Sequence, residues 1–289
     1  VSSWRVHYPF ASHFRTIDGL QYHYLDEGQG DQPIVCVHGN PTWSFYYRRI
    51  LHDLRDQQRV LAVDHIGCGL SEKPVAYNYT LAQHTPNLVQ WLDHLDLHQV
   101  LMIVHDWGGA IGLGAALQRP ERVGKLLLLN TGAFPPPYVP LRIAACRLPW
   151  LGSWAIRHLN AFAYPATFMA IDRLKRLAPE AKAGLLAPYD SPGHRVAIDA
   201  FVRDIPLGRT HPTYRTLEEL ESKLPELSRL PIRIVWGMKD WCFRPECLDR
   251  FLRAWPDAHV QRLDDVGHYV MEEAPQEVVD QVRQLLSAK

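Results

Sequence analysis

The sequence has no excess of charge of either sign, no long hydrophobic run and few cysteines, and each lack removes a class of protein. Lysine plus arginine number 31 and aspartate plus glutamate number 31, so the formal net charge is zero. A surface that tracks nucleic-acid phosphates needs a basic excess, so nucleic acid is not an expected partner. No stretch approaches the ~18 uninterrupted apolar residues of a spanning helix. The start, Val1-Ser-Ser-Trp-Arg5, lacks the basic-then-apolar pattern of a secretory leader. Stable membrane insertion is therefore not expected. Cys36, Cys68, Cys146, Cys242 and Cys247 form no C-x-x-C pair, which argues against a metal-binding or redox motif and suits a reduced, cytoplasmic setting. Internal repeats, heptads and low-complexity tracts are also missing.

What is present is a rhythm of short apolar runs at 34–37, 60–63, 100–104, 126–129, 232–236 and 259–263. Runs with so little polar alternation suit parallel strands buried on both faces. Helical patterns lie between them, as at 81–95 and at 110–119, where Pro120 stops the helix. Strand and helix in alternation predict an α/β fold with a mostly parallel, doubly wound sheet. The rhythm breaks after 126–129. A stretch rich in Trp, Phe, Pro and Arg begins at Thr131-Gly-Ala-Phe-Pro-Pro-Pro137, and strand spacing resumes only at Ile232. The expected organisation is a core of residues 1–130 and 216–289 with an inserted helical cap at 131–215, a division that 289 residues comfortably allow.

Open α/β sheets carry their sites outside the carboxyl ends of their strands. Val100-Leu-Met-Ile-Val-His-Asp106-Trp-Gly-Gly-Ala-Ile-Gly112 reads as a strand, a tight turn and a helix of small residues. In such an elbow one side chain is pushed out over the sheet while glycines let helix and strand approach. The usual G-x-S-x-G has serine at that point; here the position holds Asp106, and a carboxylate attacks carbon to form an ester with the enzyme itself. An aspartate capping the next helix would also fit this position alone. Two further residues weigh against that. His268, in Asp265-Val-Gly-His-Tyr269 after the last strand, supplies a base able to take a proton near neutral pH. Asp240 ends Ile232-Arg-Ile-Val-Trp-Gly-Met-Lys-Asp240 and suits the acid that fixes the imidazole tautomer. The rival location for that acid is Asn130, which has no charge to give.

Val35-Cys-Val-His-Gly-Asn40-Pro-Thr-Trp43 is a strand entering a His-Gly turn. Backbone N–H groups at Asn40 and Trp107 would face the ester oxygen as it becomes an oxyanion. Their side-chain N–H donors would converge on a departing anion, for which halide is the natural candidate.

These residues together resemble the haloalkane dehalogenases, of the α/β-hydrolase fold, and most of all the branch that includes the olefin-biosynthesis β-lactone decarboxylases. The resemblance runs through nearly the whole chain and rests on His38-Gly-Asn-Pro-Thr-Trp43, Asp64-His-Ile-Gly-Cys-Gly-Leu-Ser-Glu-Lys-Pro74, Val104-His-Asp-Trp-Gly-Gly109, Asp204-Ile-Pro-Leu207 and Gly267-His-Tyr-Val270. It implies Asp106 as nucleophile, His268 as base, Asp240 as acid and Asn40 with Trp107 as halide-binding donors. Pro206 matches a cap proline of the halide pocket, and Leu207 and Phe168 are further pocket candidates. The expected reaction is cleavage of a carbon–halogen bond in a small apolar substrate, giving alcohol, halide and a proton, with no metal or organic cofactor. The alternative with the same residues is decarboxylation of a β-lactone to an alkene, favoured if the pocket is a wide apolar tunnel. Epoxide hydrolysis would need phenols from Tyr138, Tyr164, Tyr189 or Tyr214. A non-catalytic binding protein on the same fold is a further alternative. Phe162, Met169 and Phe201 are also expected to supply the cap's apolar pocket, each equally readable as ordinary cap core, and an apolar cap surface is compatible with a homo-oligomer.

Overall fold

The computed structural model describes residues 3–172 and 174–287; Val1 and Ser2 of the amino-terminal reading lie outside them. Eight strands form one sheet: β1 (Ser12–Ile17), β2 (Leu20–Glu27), β3 (Ile34–Val37), β4 (Val60–Val63), β5 (Val100–Asp106), β6 (Val123–Thr131), β7 (Ile232–Gly237) and β8 (His259–Leu263). Their spatial order is β1-β2-β4-β3-β5-β6-β7-β8. From β4 to β8 every pairing is parallel, while β1–β2 and β2–β4 are antiparallel. The six expected strands are all present. The antiparallel hairpin of β1 and β2 is additional: Asp18 and Gly19, both at positive φ (49° and 81°), make its two-residue turn. An Asp-Gly turn of that kind matches the twist of the flanking strands. The search for continuous apolar runs passes over it because β1 is mostly exposed and polar.

Helices α1 (Arg48–Leu54), α2 (Leu81–His94) and α3 (Trp107–Gln118) connect the first parallel strands. Between β6 and β7 lie α4 (Leu141–Cys146), α5 (Leu151–Leu159), α6 (Ala163–Met169), α7 (Pro179–Leu186), α8 (Val196–Asp204) and α9 (Pro212–Lys223). The chain ends with α10 (Pro245–Ala254), α11 (Val270–Glu273) and α12 (Pro275–Ser287). Alternate residues of each central strand feed opposite sides of the sheet. Val100, Met102 and Val104 join a core with α2, α3 and α10, whereas Leu101 and Ile103 join one with α1 and α12. Burial on both faces explains why those strands read as unbroken apolar runs.

The six helices α4 to α9 all lie between β6 and β7. β6 runs through Thr131, and α9 crosses position 215 to pack on α2 and α3. The buried carboxylate of Asp204, at the end of α8, accepts from the Leu81 backbone N–H (2.8 Å) and from the Thr213 hydroxyl. It thereby caps α2 from outside that helix, Thr80 making no side-chain cap of its own, and ties α8, α9 and α2 together.

Candidate active site

β5 runs straight into α3 with no loop, and the residue at the junction, Asp106, is held at φ 52°, ψ −129°. A non-glycine residue there stores strain that the surrounding packing must sustain. That packing is visible at Gly109, where a Cβ would run into the Thr131 side chain, and at Gly39, where it would run into the Asp106 carboxylate. The Thr131 hydroxyl donates to the Asp106 backbone carbonyl and so fastens the elbow to β6.

The structure brings the three expected members together. Asp106 Oδ1 accepts from the Asn40 backbone N–H at 2.6 Å, and His268 Nε2 lies 3.7 Å from Asp106 Oδ2. That gap is longer than a hydrogen bond. On its other side His268 Nδ1 is 2.7 Å from Asp240 Oδ2. Asp240 is fixed in turn, its Oδ1 accepting from the Cys242 backbone N–H (2.7 Å) and its Oδ2 from the Asn130 carboxamide (3.0 Å). Burial pushes the Asp106 carboxyl above the usual carboxylate range, although His268 and the backbone N–H groups of Asn40 and Trp107 pull it back. For His268, burial acts downward, but the charge and hydrogen bond of Asp240, with Asp106, outweigh it and leave the imidazole above its ordinary value.

Asn40 and Trp107 both face the pocket over Asp106. One carboxamide N–H of Asn40 is anchored on the Ile198 carbonyl at 3.3 Å, leaving the second. Among the described residues the Trp107 indole N–H has no hydrogen-bond partner. The two donors can therefore receive an anion in the pocket beside the Asp106 carboxylate.

The pocket, about 1080 Å³ with its open mouth, is apolar except at this floor. Pro206 lines it as expected, but two other candidates do not. Phe168 is 47% exposed and Leu207 58% exposed, and neither reaches the pocket wall. The reason is helical phase. Phe162, Ala166 and Ala170 line the pocket at intervals of four around α6, whereas Phe168 stands two positions from Ala166, about 200° round the helix. Leu207 follows Ile205 and Pro206, which line the wall as the chain leaves α8 and then turn it outward.

Sequence reasoning missed several supporting residues. His105, before the nucleophile position, points away from the pocket, and burial with the His268 charge holds it neutral. Its Nε2 donates to the His268 carbonyl at 2.9 Å. Phe243 stacks on the His268 ring, centroids 5.6 Å apart. Asn130, weighed only as a rival acid, instead clamps Asp240 and also bonds both backbone groups of Gly237. Only its position at the end of β6 pointed to it; for His105 and Phe243 the sequence holds no signal, because their partners are far away along the chain.

Residues 32–275 match the family model of the α/β-hydrolase fold, and the chain belongs to that family of enzymes. Within it the chain belongs with the haloalkane dehalogenases, in the branch that includes β-lactone decarboxylases. It is 38% identical to cis-3-alkyl-4-alkyloxetan-2-one decarboxylase of Shewanella oneidensis, over 96% of this chain and 89% of that protein. Haloalkane dehalogenase 2 of Mycobacterium tuberculosis is 33% identical over 94% of this chain and 93% of its own. Among solved structures, haloalkane dehalogenase DatA from Agrobacterium tumefaciens superposes with a TM-score of 0.86 at 28% identity, covering 96% of each chain.

Proposed function

We propose that this enzyme decarboxylates β-lactones bearing two alkyl chains, releasing an alkene and carbon dioxide, with Asp106 as nucleophile. The observation that carries the reading is the 38% identity to an oxetanone decarboxylase along almost the whole chain, above the 33% to a dehalogenase. The pocket supports it, since a cavity of about 1080 Å³ with its open mouth, apolar except at its floor, suits two chains flanking one polar ring.

In the proposed path Asp106 Oδ2 attacks the ring carbon that carries the ring oxygen. The carbon–oxygen bond breaks, and its electron pair leaves on what becomes a free carboxylate, received by the N–H donors of Asn40 and Trp107. The ester carbonyl is Asp106 Oδ1, held by the Asn40 backbone N–H. In the second step the carbon–carboxylate bond breaks, its electrons form the alkene, and the ester oxygen departs to restore the Asp106 carboxylate. Inversion followed by anti elimination keeps the two chains cis. No water is consumed and no proton moves. His268, held by Asp240, places positive charge beside the departing carboxylate.

The Asn40 and Trp107 donors also favour a second reading, haloalkane dehalogenation. There the same attack expels halide, and His268, whose Nε2 lies 3.7 Å from Asp106 Oδ2, then deprotonates a water at the ester and so hydrolyses it. Epoxide opening gains no support: of the four tyrosines considered, only Tyr138 lines the pocket, and its hydroxyl donates to the Cys242 carbonyl.

Wild type and Asp106→Ala are incubated separately with a long-chain cis-β-lactone and with 1-bromobutane. Alkene formed by wild type alone supports the decarboxylase. Bromide without alkene transfers the assignment to dehalogenation, and neither product defeats both readings.

A further inference from the structure

The cap displays an unpartnered apolar face whose chemistry is unlike that of the remaining surface. Trp150 is 90% exposed, Leu141 87% and Leu151 60%, with Leu148 and Trp154 each 50% exposed. All five lie on α4, α5 and the turn between them. On α5 the division is clean: Gly152 and Ile156 are buried, while Leu151 and Trp154 point the opposite way. Single exposed apolar residues are common, but a contiguous face with two tryptophans is not.

Charge narrows the occupant. From position 132 to 171 the chain carries Arg142, Arg147 and Arg157 and no acidic residue, in a protein of zero net charge. Among the described residues none of the three arginines forms an ion pair; Arg142 lies over the Trp241 ring and Arg157 bonds the Pro192 carbonyl, whereas Arg147 turns inward onto the carbonyls of Val202, Arg203 and Ile205, which leaves Arg142 and Arg157 as the cations of this face. Exposed tryptophan and leucine beside uncompensated arginine is the composition that settles at a lipid–water boundary carrying negative headgroups.

One end of the face adjoins the pocket wall. Val139, Pro140 and Ile143 line the pocket, and Leu141 and Arg142, between them, are exposed. We propose that the Leu141–Trp154 face docks on the surface of an anionic lipid bilayer, so that apolar substrate and product pass between acyl layer and pocket without crossing water. Docking is peripheral: no helix of the described residues is long and apolar enough to cross a membrane. It holds for either reaction proposed above, because it depends on the pocket being apolar and not on the bond that is broken.

The test measures binding without turnover. Full-length protein is sedimented with phosphatidylcholine vesicles containing about 30% phosphatidylglycerol, and with phosphatidylcholine alone. Binding is expected to the anionic vesicles, to weaken at roughly 0.5 M salt, and to fall about tenfold or more in Trp150→Ser/Trp154→Ser. Neither tryptophan lines the pocket, so unchanged turnover of a short, water-soluble substrate shows that the double variant is folded. Brominated lipid should quench tryptophan fluorescence in wild type more than in the variant. No binding to anionic vesicles, equal binding by the variant, or concentration-dependent dimers that bury the same face from both copies would overturn the proposal.

Discussion

At Asp106 two demands compete, since the nucleophile role proposed for it needs an ionised carboxylate and burial opposes ionisation. The balance leaves its carboxyl above 3.8 and the His268 imidazole above 6.5. The signs give different pH profiles for the two reactions. Ionised Asp106 is lost as pH falls through its raised pKa, so both reactions should show an acid limb above the ordinary aspartate range. Ester hydrolysis needs neutral His268, which appears only as pH rises through a value above 6.5, so dehalogenation should show a second rise there in single-turnover rates. Lactone decarboxylation, which moves no proton but uses the positive charge of His268, should instead slow there as that charge is lost. Substituting His268 by phenylalanine separates the paths in another way. With a bromoalkane, bromide should appear once per active site and an alkylated protein should accumulate in the mass spectrum. With a β-lactone, turnover should continue, slowed by loss of the positive charge.

Among the elements, α6 decides which cap side chains meet substrate. Phe162→Ala should lower kcat/KM for a long-chain substrate by roughly tenfold or more, from lost apolar contact, while Phe168→Ala should stay within about twofold as an exposed change. Equal losses in both would contradict the helical phase described for the pocket wall. The contact between α3 and β6 is tighter still. Gly109→Ala drives a methyl group into Thr131, and overpacking of this kind costs about 1–3 kcal/mol, readable as a lower urea midpoint. Adding Thr131→Ala should recover part of that loss; no recovery would mean that the strain lies elsewhere in the elbow.

Across the whole molecule, hydrogen bonds from several elements join the inserted helices to the core, such as the Trp43 indole on the Gly184 carbonyl and the Tyr189 hydroxyl on the Thr42 carbonyl, and the buried Asp204 carboxylate adds a charged one. Its motif, Asp204-Ile-Pro-Leu207, contributes the pocket residues Ile205 and Pro206, but the aspartate itself holds α2, α8 and α9 together. Asp204→Ala leaves a buried helix-end N–H and a hydroxyl without their acceptor, a loss of about 1–3 kcal/mol. Thermal unfolding should show the fall, and an unchanged midpoint would remove Asp204 from this role.

The central strands, the elbow and the order Asp106, Asp240, His268 were legible in the sequence, because strand burial and elbow chemistry are written in adjacent residues. The β1–β2 hairpin was legible too, in its Asp18-Gly19 turn, to a reading that looked beyond apolar runs. What only the tertiary structure decided was which side chains converge from distant segments. Phe168 and Phe162 are alike as residue types, and the rotation of α6 against the sheet is what turns one to solvent and the other to the pocket. Asn130 reaches Asp240, and His105 reaches the His268 carbonyl, because the parallel sheet sets β5, β6 and β7 side by side, with the loop after β8 close to their ends. Local pattern fixes which face of a strand or helix is apolar. Where that face points is set by packing between elements that the chain separates by more than a hundred residues.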